Sequence, residues 1–407
     1  MTTAKINTAK TDTANTSTAN TNEIKVLQLI TRLIIGGAQE TVYLTADRLR
    51  NEWDLDVISG PQTGVEGSLI PIIEECGIAL SIEPSLVREI HPYKDVLALW
   101  RLTQIMRREK YQIVHTNSSK AGIVGRWAAK LAGVPIIVHT VHGWGHHERQ
   151  HPLIRAFYIW LEKRTLTVTD KLIVVTPKDI ADGLQDGIGT EDDYVLIRSG
   201  IELERFGHPQ VSPPEMRQLL GIPQDAPVVG SVTRLSPQKG PLDFVQMAAR
   251  IAQTHPDTHF VMVGDGPLRG DVEALIAQHG LTAQFHLTGL RRDVPELLAT
   301  FDIFVLTSLW EGLPRVLPQA MATGLPIVAT AIDGNAEAVE DGVNGFLVPP
   351  ENPTALSQSV CQLLDDDALA QRMGQAGLAR VEEFGAQRMV DQVSALYRAL
   401  LQQQGGL

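Results

Sequence analysis

Along almost the whole chain, short runs of aliphatic and β-branched residues alternate with longer amphipathic stretches, and this alternation limits the fold more tightly than any other feature. IKVLQLI (24–30), LDVISG (55–60), YQIVHTN (111–117), PIIVHTVHG (135–143) and KLIVVT (171–176) are each followed by a polar loop and a stretch with helical spacing. Continuous apolar runs of this length suit strands buried on both faces, as in parallel sheets with crossover helices. The succession pauses at YVLIRSGIELERF (194–206) and resumes with APVVGSVT (226–233), THFVMVG (258–264), QFHLTG (284–289), DIFVLTS (302–308) and LPIVAT (325–330). A chain of 407 residues exceeds one ordinary core. The expected fold class is therefore α/β, with two Rossmann-like doubly wound domains facing across a cleft. Ligands in such sheets gather beyond the carboxyl ends of the strands, so the residues after each strand are the functional candidates.

Charge and cysteine usage exclude several alternatives. The net charge is −12, and residues 201–407 hold 24 acidic against 13 basic side chains, while residues 23–200 are near balance. Such acidity argues against nucleic acid as a partner; local basic clusters in the front half leave an anionic membrane surface or acceptor open. Cys76 and Cys361 are the two cysteines, far apart and at no metal-ligand spacing, so neither a disulfide framework nor a zinc site is implied. Residues 1–22, with NTAKT, DTANT and STANT in succession, read as a disordered low-complexity tail without the apolar core of a secretory signal. No run reaches the roughly 18 apolar residues of a membrane-spanning helix, and the expected location is cytoplasmic.

The junctions after the strands carry the candidate chemistry. TRLIIGGAQE sets Gly36 and Gly37 before a helical stretch, either as a tight turn or as a bare backbone that admits a phosphate to helix N–H groups. The spacing is not GxGxxG, so no nicotinamide fingerprint is present. HTNSSKAG places Asn117, Ser118, Ser119 and Lys120 at a helix start, as caps or as a polar rim for ligand hydroxyls. PIIVHTVHG ends in His142. His139, three positions earlier, points to the opposite face while the strand lasts, so one histidine is expected in the core and one in the cleft. His142 could there hydrogen-bond a substrate or stabilise developing charge; no carboxylate stands at a metal-ligand offset from the neighbouring His146 and His147. GSVTRLSPQKG holds Arg234 and Lys239 on one loop, fixed charges that suit a departing diphosphate or a solvated pair. VMVGDGPLR, with Gly264, and FHLTGLRRDV, with Leu290 and Arg291, are further strand–loop junctions, the second offering backbone groups to a flat ligand edge.

EGLPRVLPQAMATG follows the strand DIFVLTS. Glu311, Gly312, Leu313 and Pro314 lead into a helix that has the N–H groups of Arg315 and Val316 near its start. Read as helical throughout, the stretch from Glu311 to Gln319 advances about 12 Å and keeps both ends on one broad face. That length would place one group at each end of an extended nucleotide-sugar, with its phosphates at the helix start.

Together these segments resemble glycosyltransferase family 4, retaining nucleotide-sugar-dependent enzymes of the GT-B fold. GGAQE, HTNSSKAGIVGRWAAKLAG, TVHG, SGIELERF, GSVTRLSPQKG, VMVGDGPLR and EGLPRVLPQAMATGLPIVATAIDGNAEAVEDGVNGFLVPP occur in that family's order and spacing across residues 24–390. The resemblance implies transfer of a sugar from a nucleotide diphosphate donor to an acceptor hydroxyl, with retention and without an obligatory metal or other cofactor, in cell-surface polysaccharide or glycolipid assembly. It implies an acceptor-side domain over 23–200, a donor-binding domain over 201–385, and a final helix within 386–407 that crosses back to the first domain through Met389, Val393, Leu396 and Leu400. By motif position, Arg234 and Lys239 would hold the diphosphate, Glu311 would contact the donor sugar, and His142 would contact sugar hydroxyls near the reacting carbon. Gly36 and Gly37 would approach the phosphates from the opposite domain. Gly264, Leu290, Arg291, Gly312, Leu313, Arg315, Val316 and Gln319 would complete the donor site, and Asn117, Ser118, Ser119 and Lys120 would flank the acceptor.

One position departs from the pattern. Gln319 stands where the family usually has a second glutamate that binds the ribose; glutamine keeps an acceptor oxygen but loses a charge that roughly doubles such a bond. Two rivals follow: a nucleotide-sugar epimerase of the same fold, and a non-catalytic sugar-nucleotide-binding regulator. LWRLTQIMRREKYQ (99–112) and HPLIRAFYIWLEKR (151–164) mix apolar and basic residues. One expectation is core-facing helices with solvated basic faces; the other is peripheral attachment to an inner membrane that carries a lipid-linked acceptor.

Overall fold

The computed structural model describes residues 24–62, 67–146 and 150–405. The tail expected to be disordered and His147 lie outside the described residues. Among them, thirteen parallel strands form two sheets with helices on both faces. The first sheet comprises β1 (Lys25–Ile30), β2 (Asp54–Ser59), β3 (Ala79–Ile82), β4 (Ile113–Asn117), β5 (Ile136–Val141), β6 (Lys171–Val174) and β7 (Tyr194–Leu196), in the order 3-2-1-4-5-6-7. The second comprises β8 (Val228–Val232), β9 (His259–Val263), β10 (Phe285–Gly289), β11 (Ile303–Leu306), β12 (Ile327–Thr330) and β13 (Gly345–Val348), in the order 10-9-8-11-12-13.

The strands expected from apolar runs are present, because their side chains are buried on both faces: β4, β5, β11 and β12 are buried along their whole length. The sequence reading passed over β3 and β13, and took the segment that holds β7 as a pause in the succession. β3 is an edge strand with three of its four residues exposed or nearly so, and β13 is a four-residue segment opening on glycine; neither displays the buried-strand pattern.

The order of each sheet reverses once, between β1 and β4 and between β8 and β11. Crossovers leave those two junctions on opposite faces, which opens a crevice at the carboxyl ends. The segments after β1, β4, β5, β8, β9, β10 and β11 carry the candidate residues.

The chain passes between the sheets twice, side by side. Ile201 N–H donates to the Phe384 carbonyl at 2.8 Å, and Ala386 N–H donates to the Ile201 carbonyl at 2.8 Å. The last helix, Ala386–Gln403, then lies on the first sheet, burying Met389, Val393, Tyr397 and Leu400, with Leu396 partly buried. Trp53 Nε1–H donates to Ser394 Oγ at 3.2 Å across that seam.

The helix Pro152–Leu166 meets the core-facing expectation only in part: Ile159 and Leu166 pack on a small cluster with Val141, Leu172 and Val174. It buries Glu162 and Thr165 and leaves Leu153, Ile154, Phe157 and Trp160 exposed. The reason is a buried ion pair: Arg126, fully buried on the neighbouring helix Ser119–Ala132, meets Glu162 at 2.7 Å. The helix Pro92–Glu109 buries Ala98, Leu102 and Met106 as expected, yet exposes Tyr93, Val96 and Trp100.

Candidate active site

The segments after β5 and β6 face those after β8, β11 and β12 across a cavity of about 590 Å³, within the range of small-ligand sites. His142, Gly143 and Trp144 line it from the first sheet; Gln238, Glu311 and Gly312 line it from the second.

On the second sheet, the loop after β8 is tied down by the end of β11. Thr307 Oγ1–H is within 2.9 Å of the carbonyls of both Lys239 and Gly240, and Leu309 N–H donates to the Gln238 carbonyl at 2.7 Å. Gly240 has a φ of 55°, and a Cβ there would stand 2.4 Å from the Thr307 carbonyl oxygen, so only glycine lets the loops approach this closely. The consequence is an ion pair between Lys239 Nζ and Glu311 Oε1. Ser308 Oγ–H donates to the same carboxylate oxygen at 2.6 Å. Arg234 lies exposed on the same loop.

The first sheet contributes His142 at the carboxyl end of β5. Its Nε2 is 3.0 Å from Asn117 Oδ1, and Asn117 Nδ2–H donates to Gln28 Oε1 at 2.9 Å. Gln28 Nε2–H in turn donates to the Tyr397 hydroxyl at 3.0 Å, and that hydroxyl meets His115 Nδ1 at 2.6 Å. With the Asn117 amide so oriented, its oxygen must accept, so His142 carries its proton on Nε2 and presents Nδ1 as an acceptor. Burial, reinforced by the Arg315 guanidinium, pushes His142 down to about 4; burial, reinforced by His142, pushes His115 down to about 3. Both rings are neutral at physiological pH. His139 points the other way, buried against Gly122 of the helix behind the sheet.

Gly36 and Gly37 reach the opposite sheet: the Gly37 carbonyl accepts from Arg315 Nη1 at 3.0 Å, and Arg315 Nη2 pairs with Glu40 at 3.0 Å. Burial holds the Arg315 pKa below its ordinary value. Gly312 sits under the His142 carbonyl, where a Cβ would stand at 3.3 Å. Ser118 has a left-handed φ of 67°, costly for a non-glycine residue, and its hydroxyl meets Thr31 Oγ1 at 2.7 Å, clamping the ends of β1 and β4 together. Ser119 and Ser118 line a smaller cavity of about 190 Å³ beside His142.

Lys120 is bound by both Asp95 oxygens, at 2.6 and 2.7 Å, and joins two helices. Arg291 Nε–H donates to Asp293 at 2.8 Å, while Leu290 is exposed. Gly264, at φ 137°, lets the β9 loop pass the Thr233 carbonyl, which a Cβ would meet at 1.8 Å. Leu313 and Val316 pack on the second core.

The notion of a helical ruler from Glu311 to Gln319 needs correction. The helix is Val316–Ala322, so Glu311 to Arg315 form a loop, with Glu311 held by Lys239 and Ser308 instead of by helical repeat. Gln319 is half-buried within the helix.

Sequence reasoning missed Gln28, Ser308, and the cluster of His146, Arg155 and Asp186. In that cluster Asp186 takes His146 Nε2 at 2.9 Å and Arg155 at 2.6 Å beside the main cavity. Gln28 had a signal, a glutamine inside an otherwise apolar strand.

Two facing doubly wound sheets, with a lysine–carboxylate pair at the reversal point of one and a neutral histidine at the end of β5 in the other, fit a sugar-transferring enzyme of the GT-B type. Family profiles agree: "Glycosyltransferase Family 4" matches residues 35–205 and "Glycosyl transferases group 1" matches residues 213–380. The UDP-Gal:alpha-D-GlcNAc-diphosphoundecaprenol alpha-1,3-galactosyltransferase of Escherichia coli is 32% identical over 381 residues, covering 92% of this chain and 97% of that enzyme. The 2-deoxystreptamine glucosyltransferase of Streptomyces kanamyceticus is 30% identical over 69% of this chain and 74% of its own. The crystal structure of Anabaena HepE in complex with UDP and glucose superposes with a TM-score of 0.80 at 22% identity, covering 92% of this chain and all of that one. The chain belongs to glycosyltransferase family 4 and is a glycosyltransferase.

Proposed function

We propose that this enzyme transfers a hexose, with retention and without a metal ion, from a UDP-sugar to a hydroxyl of a lipid-diphosphate-linked acceptor, at the cytoplasmic face of a membrane. The product would enter a cell-surface polysaccharide or glycolipid. The observation that carries this reading is that Glu311, ion-paired with Lys239, and neutral His142 line one cavity from opposite sheets. Lys239 and Arg234 supply positive charge where a diphosphate gathers negative charge as it leaves. Glu311 is an acceptor for donor-sugar hydroxyls, and Lys239 and Ser308 fix its orientation. His142 Nδ1 accepts from a sugar hydroxyl near the reacting carbon. Gln319 would bind ribose hydroxyls through its amide. A leaving group assisted by cations on its own side suits displacement from that same face, hence retention. The uridine donor and lipid-linked acceptor follow from what the Escherichia coli relative acts on, by its name.

The test is incubation with a panel of UDP-hexoses and an undecaprenyl-diphosphate-linked sugar. The expected result is UDP release matched by an α-linked product, read by NMR. An isomerised donor without acceptor would support an epimerase, and binding without turnover a regulator.

A further inference from the structure

One polar cluster in the cavity stands apart from the donor residues. His146, Arg155 and Asp186 line the first-sheet wall, across from Glu311 and Trp310. Asp186 takes both its neighbours, His146 Nε2 through one oxygen and Arg155 Nη2 through the other. An ionised carboxylate only accepts, so His146 holds its proton on Nε2. Burial keeps the ring's pKa below its ordinary value in spite of Asp186, and the ring is neutral.

Two polar atoms of the cluster are then shut off from water without a hydrogen-bond partner among the described residues: His146 Nδ1 and Arg155 Nε. Buried polar atoms are seldom left so, and a missing partner points to a ligand. Nδ1 is a bare acceptor and Nε–H a bare donor. An anionic group could serve only the donor and an ammonium only the acceptor, whereas a hydroxyl both donates and accepts.

The surroundings suit a sugar. Trp144 packs on His146 with ring centroids 5.4 Å apart, and its Nε1–H donates to the Asp179 carbonyl at 2.9 Å. Gly183 makes room for it, since a Cβ there would stand 2.8 Å from the indole. Trp310 lines the opposite side of the cavity. Aromatic walls with a few fixed polar groups are the usual make-up of a small-ligand site, and here they match the C–H faces and hydroxyls of a pyranose.

Charge narrows the choice of sugar. The helix Pro177–Gln185 adds Asp179 and Asp182 to the same wall, and Lys178 pairs with Asp182 at 2.7 Å. The wall thus holds the carboxylates of Asp179, Asp182 and Asp186 against the cations Arg155 and Lys178, each of which already meets a carboxylate. A carboxylate or phosphate carried on the bound ring would face that surplus of like charge. The residues that motif position offers as the acceptor flank are engaged otherwise: Asn117 with His142, Lys120 with Asp95 and Ser118 with Thr31. We propose that His146, Arg155 and Asp186, with Trp144 and Asp182, form the subsite for the acceptor's terminal sugar and select an uncharged pyranose, one of whose hydroxyls meets His146 Nδ1 and Arg155 Nε. The proposal rests on the transfer to an acceptor hydroxyl proposed above, and not on the lipid diphosphate.

The test is steady-state transfer by the full chain from its UDP-hexose to two short-chain prenyl diphosphates, one carrying an N-acetylhexosamine and the other a hexuronic acid. The neutral acceptor should be preferred in kcat/KM by at least about tenfold. His146→Gln keeps a donor for Asp186 and removes the Nδ1 acceptor. It should raise KM for the neutral acceptor about tenfold, while the affinity for UDP, read by calorimetry, and the Tm stay as in the native chain. Asp182→Lys, at a side chain 36% exposed, should shift the preference toward the hexuronic acid by about tenfold, and decides the matter if His146→Gln does not fold. Equal use of both acceptors by the native chain overturns the proposal. So does a folded His146→Gln with an unchanged acceptor KM, which leaves Nδ1 to water alone, or with weakened UDP affinity, which places the cluster at the donor. If neither prenyl diphosphate is used but simple glycosides of the two sugars are, with the same preference and the same His146→Gln effect, the subsite stands and the lipid-diphosphate acceptor falls. Transfer to no sugar of either kind overturns both.

Discussion

Replacing Asn117 by aspartate changes one group at the floor of the site and should convert His142 from a neutral ring to a titrating one. In the native chain Asn117 Oδ1 accepts the His142 Nε2 proton at 3.0 Å. A carboxylate at that distance attracts an imidazolium by about 5 kcal/mol at an effective dielectric of about 20. Much of this is offset, because Asn117 is only 2% exposed and burial penalises the new charge. A net upward shift of about one to three pH units is expected for such a neighbour. Starting from about 4, His142 would then titrate between about 5 and 7. The network can adapt: Gln28 rotates its amide to offer Nε2 to the carboxylate, and the Tyr397 hydroxyl donates to Oε1 instead. Catalysis that needs an acceptor at Nδ1 must therefore lose activity below about pH 6 in Asn117→Asp, where the native enzyme keeps it to near 4. The measurements are NMR titration of the His142 ring and the pH profile of kcat/KM. A folded variant whose His142 still titrates near 4, or whose acid limb does not move, would refute the coupling.

Tyr397→Phe removes two buried hydrogen bonds, while Gln28 Nε2 keeps His115 Nδ1 at 3.1 Å; the expected loss is about 1–2 kcal/mol, read as a fall in Tm. Lys239→Ala and Glu311→Ala should each abolish turnover at nearly unchanged Tm, and full activity in either would sink the site assignment. Gln319→Glu should tighten donor binding by about tenfold through a charge-assisted bond to the ribose, as calorimetry with UDP can check; an unchanged affinity would show that the ribose is held elsewhere. His115 and His142 titrate below their ordinary value near 6.5, so the unfolded chain binds more protons than the folded one between about 4 and 6.5. Stability is thus full above pH 6.5 and should fall progressively as the pH drops toward 4, which denaturant titration across that window would show.

Element order and fold class were legible because strands buried on both faces hold runs of aliphatic residues without the alternation of a half-exposed strand, and β1, β4, β5, β8, β9, β11 and β12 are buried over most or all of their residues. β3 escaped because a sheet edge imposes no such demand. The loops that carry the site were legible for a related reason: chain order fixes which loops follow which strands, and ligands collect at those ends. The pairing of Lys239 with Glu311, 72 positions later, is a product of the strand order 8-11, which places their loops side by side. The tautomer of His142 was invisible in TVHG, since it depends on an amide of β4, a glutamine of β1 and a tyrosine of the final helix. The outward apolar face of Pro152–Leu166 was likewise undecided. Helical periodicity tells which residues share a face, but not which face turns inward. Here the buried Arg126–Glu162 pair decides it, and only the tertiary structure brings those two charges together.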